Sequence, residues 1–299
     1  MINKTADVQT NEIGDCTIIH QFAVVMPNTK IGEECVIQSH VYIDSNVVVA
    51  NRVKIGNGAR FFTGTVLEDD VDIGPNVVVG SSPYLLSAEV GSTVIRKGAW
   101  IGANSTLHPG INVGAGAQIA AGTVVTNDVP PKSIVSGSPA KIVGYTGTEE
   151  KKTSITGQAG SLESSKVKGV QLHRIQNVKD LRGDLAAIEW ERELPFTPKR
   201  AFFVYNVPNS SVRGEHAHKA CHQFLLCLHG SIAVIVDDGQ RREEFLLNEP
   251  HIGIHIPPKV WGIQYKYSSD AVLFVLASHE YDPTDYLRDY DDYLEYMKL

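Results

Sequence analysis

Residues 13–78 read IGDCTI IHQFAV VMPNTK IGEECV IQSHVY IDSNVV VANRVK IGNGAR FFTGTV LEDDVD IGPNVV, and Val79 opens the next block. Every sixth residue is apolar: Ile13, Ile19, Val25, Ile31, Ile37, Ile43, Val49, Ile55, Phe61, Leu67, Ile73 and Val79. In a chain that is 42% hydrophobic, such a run arises by chance about once in tens of thousands of tries. The phase breaks across SSPYLLSAEVGSTV, Ser81 to Val94. It resumes at Ile95, Ile101, Leu107, Val113, Ile119 and Val125. Neither an α-helix nor an ordinary strand has this period. A coil of short strands does, with one apolar residue per strand on the axis and small residues at the corners. Gly14, Gly32, Gly56, Gly74, Gly80, Gly102 and Gly114 follow apolar positions directly. Three hexads make one triangular coil, and stacked coils share a continuous core.

Outward from the repeat, the composition changes. Of the 23 aromatic residues, 7 precede residue 151 and 16 follow residue 150. Between the halves lies TGTEEKKTSITGQAGSLESSK, Thr146 to Lys166, too polar to offset its ordering entropy and read as a flexible linker. The expected domains are therefore residues 1–145, a linker at 146–167, and residues 168–299. With 27 basic against 34 acidic residues, the net charge is −7, which argues against a nucleic-acid binder with a broad basic surface. No apolar run is long enough for a membrane helix, and the first residues lack the apolar core of a signal peptide. Cys16, Cys35, Cys221 and Cys227 form no CxxC pair, as expected of reduced thiols in a cytoplasmic protein.

The second half reads as short strands: AFFVYNV, HQFLLCLHG, SIAVIV, EEFLL, GIHIP and AVLFVLAS, with a hairpin turn at Asp238-Gly239. Such spacing predicts a sandwich or barrel. The tail YDPTDYLRDYDDYLEYMKL reads as helical, with Tyr286, Tyr290, Tyr293 and Leu294 as packing residues. Within Arg213-Gly214-Glu215-His216-Ala217-His218-Lys219, the two histidines fall on one face of a strand. An HxH pair on a barrel strand suggests a cupin, whose histidines bind metal with a downstream Glu and a third His. Gln223 stands at the Glu position, and Gly262 stands at the third His position. No metal is therefore expected, and both imidazoles are left to exchange protons near neutral pH.

The hexads IGEECV, IGPNVV, IGANST and VGAGAQ, with AAGTVVTNDV and SGSPAK after them, resemble the left-handed β-helix of hexapeptide-repeat acyltransferases. Over residues 12–145 the likeness is closest to enzymes that N-acetylate nucleotide-linked deoxysugars. The resemblance implies a homotrimer with acetyl-CoA in grooves between subunits, Ala103 and Ala121 beside the pantetheine, and Lys132 and Lys141 at the CoA phosphates. Ser81 and Ser82 stand where that family carries an Asn-Asp pair at the sugar site. Among His20, His40 and His108, the best family match, IQSHVYID, points to His40 as base.

DLRGDLAAIEW, LPFTPKRAFFVYNV, RGEHAHK, QFLLCLHG, IPPKVWG and YDPTDYLRDYDDYL resemble the sugar-nucleotide 3,4-ketoisomerases. The implied fold is all-β: a left-handed parallel β-helix followed by a cupin-like antiparallel β-barrel. The implied reaction is 3,4-keto isomerisation of dTDP-4-keto-6-deoxyglucose. His218 is the expected base, His216 its assistant, and Arg213 or Tyr205 the oxyanion partner. Arg200 and Lys219 are candidates for the diphosphate, and Trp261 for the sugar or base. Phe202, Phe203 and Gly262 depart from the family pattern. The two halves together imply isomerisation and acetyl-CoA-dependent N-acetylation around a separate aminotransferase, supplying a 3-acetamido-3,6-dideoxyhexose for O-antigen or another surface glycan. Two rivals are an isomerase carried on a silent trimeric scaffold and a barrel that only binds sugar nucleotides. Trimeric helices joined through paired barrels imply a hexamer.

Overall fold

The computed structural model describes residues 1–80, 92–151, 155, 160–181, 183–208 and 211–298. The chain divides into two compact units, Met1–Thr146 and Gly147–Leu299. Ser81 and Ser82 lie outside the described residues.

The first unit is a parallel β-helix. One coil is three hexads, so Val24–Val25 pairs with Tyr42–Ile43, and Tyr42–Ile43 with Arg60–Phe61. Sheets of seven, five and eight strands form its faces among the described residues. From Ile19 to Val79, each sixth residue is at most 3% exposed, and Ile95 to Val125 continue the stripe. A second position, two residues before each of these, is buried as well. It carries Ala23, Val41 and Val47 but also Thr17, Thr29 and Ser105. Those hydroxyls donate to carbonyls of the next coil: Thr17 to Gly32 at 2.7 Å, Thr29 to Asp44 at 2.9 Å, Ser105 to Ala120 at 3.0 Å. A buried hydroxyl is tolerated because it is bonded.

Tight corners lie three residues after axial residues, where φ is positive, as at Asn28, His40, Asn46, Gly58, Asn76 and Gly98. The glycines directly after axial residues answer a different need. A Cβ on Gly74 would stand 2.7 Å from Ala103 N, and one on Gly102 would stand 2.5 Å from Ala121 N. They allow one coil to approach the next. The interruption is absorbed as an insertion, since Leu67 pairs with Ile95 and not with residue 85. Strand Thr93–Ile95 begins inside the stretch read as out of phase. Ser133–Ser136 and Lys141–Tyr145 close the unit as an antiparallel hairpin.

The second unit has two six-stranded sheets. One runs Glu149–Lys151, Arg242–Leu247, Ile232–Asp237, Trp261–Tyr265, Arg213–His218, Tyr286–Leu287. The other runs Leu162–Ser164, Gln171–Arg174, Ile252–Ile256, Gln223–His229, Val272–Ala277, Arg200–Tyr205. Pairing is antiparallel except between Glu149–Lys151 and Arg242–Leu247. Leu225, Val234, Val236, Phe245, Ile254 and Tyr267 lie in its core. The segment expected as a linker is thus partly sheet: Glu149–Lys151 and Leu162–Ser164 gain ladder bonds that its composition does not announce. The tail is also not one helix. Pro283–Asp285 is a short 3-10 turn, Tyr286–Leu287 is an edge strand, and only Tyr290–Tyr296 is α-helical, capped by Asp289.

Candidate active site

Strand Arg213–His218 bends before it presents its histidines. Gly214 and Glu215 both have positive φ, and the register with Trp261–Tyr265 shifts between Gly214 and His216. A Cβ on Gly214 would lie 2.7 Å from the Gly262 carbonyl, so only glycine permits this approach. Beyond the bulge, His216 and His218 line one cavity with Cys221, Gln223, Ile256, Val260, Gly262 and Gln264. Their rings meet edge to face at 4.9 Å.

His218 is 6% exposed. Its Nδ1 lies 2.8 Å from Asp285 Oδ2, and its Nε2 lies 3.1 Å from the Gln223 amide nitrogen. The carboxylate accepts from Nδ1–H, which leaves the lone pair on Nε2 inside the cavity, where it accepts from the Gln223 amide N–H. Asp285 also accepts from the backbone N–H of Ala220 at 2.7 Å and of Cys221 at 3.3 Å. Burial pushes the His218 imidazole below its ordinary pKa, and the Asp285 hydrogen bond opposes that only in part. Burial lowers His216 further, to about 4, against the bond from its Nδ1 to the Gly214 carbonyl at 2.9 Å. Both imidazoles are neutral at pH 7.

Tyr286 packs against both histidines. Paired with His218 across the edge strand, it sets its ring 4.4 Å from His218 and 4.9 Å from His216. Arg288 lies over that ring at 4.3 Å, and Tyr281 lies beside it at 5.7 Å. Arg200 lies over Tyr281 at 5.6 Å with its buried Nε unpartnered, and its charge acts on His218.

Several expected residues stand elsewhere. Trp261 is 4% exposed and packs on Tyr290 and Tyr293, so it belongs to the core beneath the last helix. Tyr205 is 63% exposed, on the strand face opposite Arg200 and Phe202, because side chains alternate along Arg200–Tyr205. Arg213 is exposed before the bulge. Lys219 donates to the Thr284 carbonyl at 2.8 Å on the exposed rim. Tyr286, expected as a packing residue of a helix, is a strand residue at the site.

The arrangement does not fit the metal cradle of a cupin. Gln223 offers a neutral amide already engaged with His218, and Gly262 offers no donor.

On the β-helix, His40 is exposed at a corner and stacks on Phe22 at 5.1 Å. His20 and His108 are exposed directly after buried Ile19 and Leu107. Ala103 and Ala121 stand at successive stacked corners, against Gly74 and Gly102. Lys132, half-buried, and Lys141, exposed, belong to the last turns.

The family described as WxcM-like, C-terminal, matches residues 168–298. The TDP-4-oxo-6-deoxy-alpha-D-glucose-3,4-oxoisomerase of Aneurinibacillus thermoaerophilus is 43% identical over 122 residues, which span 41% of this chain and 88% of that enzyme. The chain belongs to the 3,4-oxoisomerase family. The oxoisomerase half is also similar to the solved QdtA sugar 3,4-ketoisomerase of Thermoanaerobacterium thermosaccharolyticum in complex with TDP. There the identity is 36%, over 44% of this chain and 96% of that one, with a TM-score of 0.43. Ahead of the oxoisomerase half, the family described as bacterial transferase hexapeptide (six repeats) matches residues 12–45 and 92–127. The serine acetyltransferase of Salmonella typhimurium is 34% identical over 122 residues, 38% of this chain and 44% of that enzyme. The chain therefore spans under half the length of that acetyltransferase.

Sequence reasoning missed three residues of this candidate site: Asp285, Tyr286 and Arg288. The signal was present, since TDYLRDY lies in a stretch already matched to the family. Reading that stretch as one packed helix hid the carboxylate.

Proposed function

We propose that the barrel moves the ketone of dTDP-4-keto-6-deoxyglucose from C4 to C3, and that the β-helix acetylates the amine later installed at C3. His218 Nε2 takes the C3 proton. The bond electrons form a C3–C4 double bond, and the charge moves onto O4. A proton then returns to C4, the hydroxyl proton passes from O3 to O4, and the ketone stands at C3. The observation that carries this reading is the neutral His218, held by Asp285 with its lone pair facing the cavity. His216 and Tyr286 adjoin the same space and serve the hydroxyl protons and the oxyanion. Arg200 and Arg288 supply positive charge for the diphosphate, with the unpartnered Arg200 Nε as a ready donor. No metal enters these steps.

In the β-helix reaction the sugar amine attacks the acetyl carbonyl and CoA leaves as its thiol. The amine proton passes to a base, His40 by family likeness. CoA would run past Ala103 and Ala121 towards Lys132 and Lys141. The product would be a dTDP-linked 3-acetamido-3,6-dideoxyhexose for a surface glycan, made in the cytoplasm. Across the described residues, no helix is long and apolar enough to cross a membrane.

The test assays the whole chain with dTDP-4-keto-6-deoxyglucose, and separately with acetyl-CoA and a dTDP-3-amino sugar. Both activities are expected. Isomerisation without acetyl transfer would leave the β-helix as a scaffold, and failure of both would sink the reading.

A further inference from the structure

Cys221 lies 3% exposed beside the catalytic pair and has no part in the chemistry above. One ligand atom from each of His218, Cys221 and Asp285 falls within 4.8 Å of the others. An imidazole nitrogen, a thiol and a carboxylate so placed form a zinc-type set of three donors. The carboxylate is already aimed by the Ala220 and Cys221 amides, and His218 Nδ1 already faces it at 2.8 Å. The thiol's present bonds are weak: Cys221 Sγ to the His222 carbonyl at 3.4 Å, and Ser278 Oγ to Cys221 Sγ at 3.9 Å. Moving the sulfur onto an ion gives up little.

We propose that His218, Cys221 and Asp285 form an inhibitory site for zinc or a similar thiophilic divalent cation. This is not the four-ligand cupin cradle, and the ion has no role in turnover. Binding exchanges the proton between His218 Nδ1 and Asp285 for the metal. That proton moves to Nε2, where the Gln223 amide turns its oxygen to accept it. The Cys221 thiol releases its own proton to solvent as the Zn–S bond forms, with no change of oxidation state. The base therefore loses its lone pair by tautomer exchange.

Metal binding is independent of the isomerase reading, and only the inhibition rests on it. The experiment titrates cobalt(II) into the whole chain carrying Cys16→Ser, because Cys16 is exposed. A thiolate-to-cobalt charge-transfer absorption is expected, and Cys221→Ser should abolish it. Zinc should inhibit isomerisation, and Cys221→Ser should raise the zinc concentration for half-inhibition, measured against the variant's own metal-free rate, by about tenfold or more. X-ray absorption of the zinc-loaded chain should show one sulfur at about 2.3 Å, which decides the matter even if Cys221→Ser folds poorly. No sulfur neighbour, or a cobalt band that survives Cys221→Ser, overturns the site. A chain without isomerase activity that still gives the Cys221-dependent band would sink the isomerase reading and leave the metal site standing.

Discussion

His218 Nδ1 and Asp285 Oδ2 lie 2.8 Å apart across a separation of 67 residues. The pair fixes which nitrogen of His218 carries the proton, and so which one can act as a base. The contact exists because Tyr286–Leu287 pairs with Ala217–His218 and delivers Asp285 to the end of the histidine strand.

His218→Asn keeps a similar shape and removes the base. The isomerase rate should fall by at least about a hundredfold. Solvent deuterium should cease to enter the sugar at the normal rate, whereas acetyl transfer should continue. Normal exchange in this variant would assign the base elsewhere.

Asp285→Asn should act through His218. The amide can hold the ring in the opposite tautomer, so kcat should fall by about tenfold or more with KM nearly unchanged. The acid limb of the pH–rate profile should shift with it. A change confined to KM would place Asp285 outside the positioning of the base.

Isomerisation should survive a chelator at full rate, since Gln223 and Gly262 replace two donors of a cupin cradle. A loss of rate restored by one divalent ion would refute the metal-free reaction.

Acid should loosen the barrel. His173, His216, His218, His222, His251 and His255 all have pKa values lowered first by burial, His216 to about 4 and His255 to about 3. Unfolded histidines bind protons near pH about 6.5, so the unfolded chain takes up protons first as pH falls. Stability is full above that value and is lost progressively down to pH about 3. The thermal midpoint of the barrel transition should drop across this window. A midpoint constant from pH about 7 to about 3 would show that these rings are not buried as neutral groups.

Light scattering on the whole chain should give six times the 32.6 kDa chain mass, from two trimeric β-helices joined through paired barrels. A trimer would remove the barrel pairing alone. A monomer would remove the CoA groove between subunits, and with it the basis for acetyl transfer.

The repeat was legible in the sequence because it is a local rule. Each hexad carries its own axial residue, and stacking depends only on that residue recurring, from Ile19 to Val125. The paired histidines were legible for the same reason, since residues two apart on a strand share a face. The second buried position of each hexad was not, because Thr17 and Ser105 look like surface residues until a carbonyl of the next coil accepts from them. Tertiary structure alone decided the partners. Tyr286 fits a helical spacing with Tyr290 and Tyr293, yet pairing with the edge at His218 drew it into a strand. Trp261, expected at the sugar or base, packs instead on the rings of Tyr290 and Tyr293. Asp285 is one of many acidic residues in the tail. Only the folded chain, which places distant residues at hydrogen-bond distance, makes it the partner of His218.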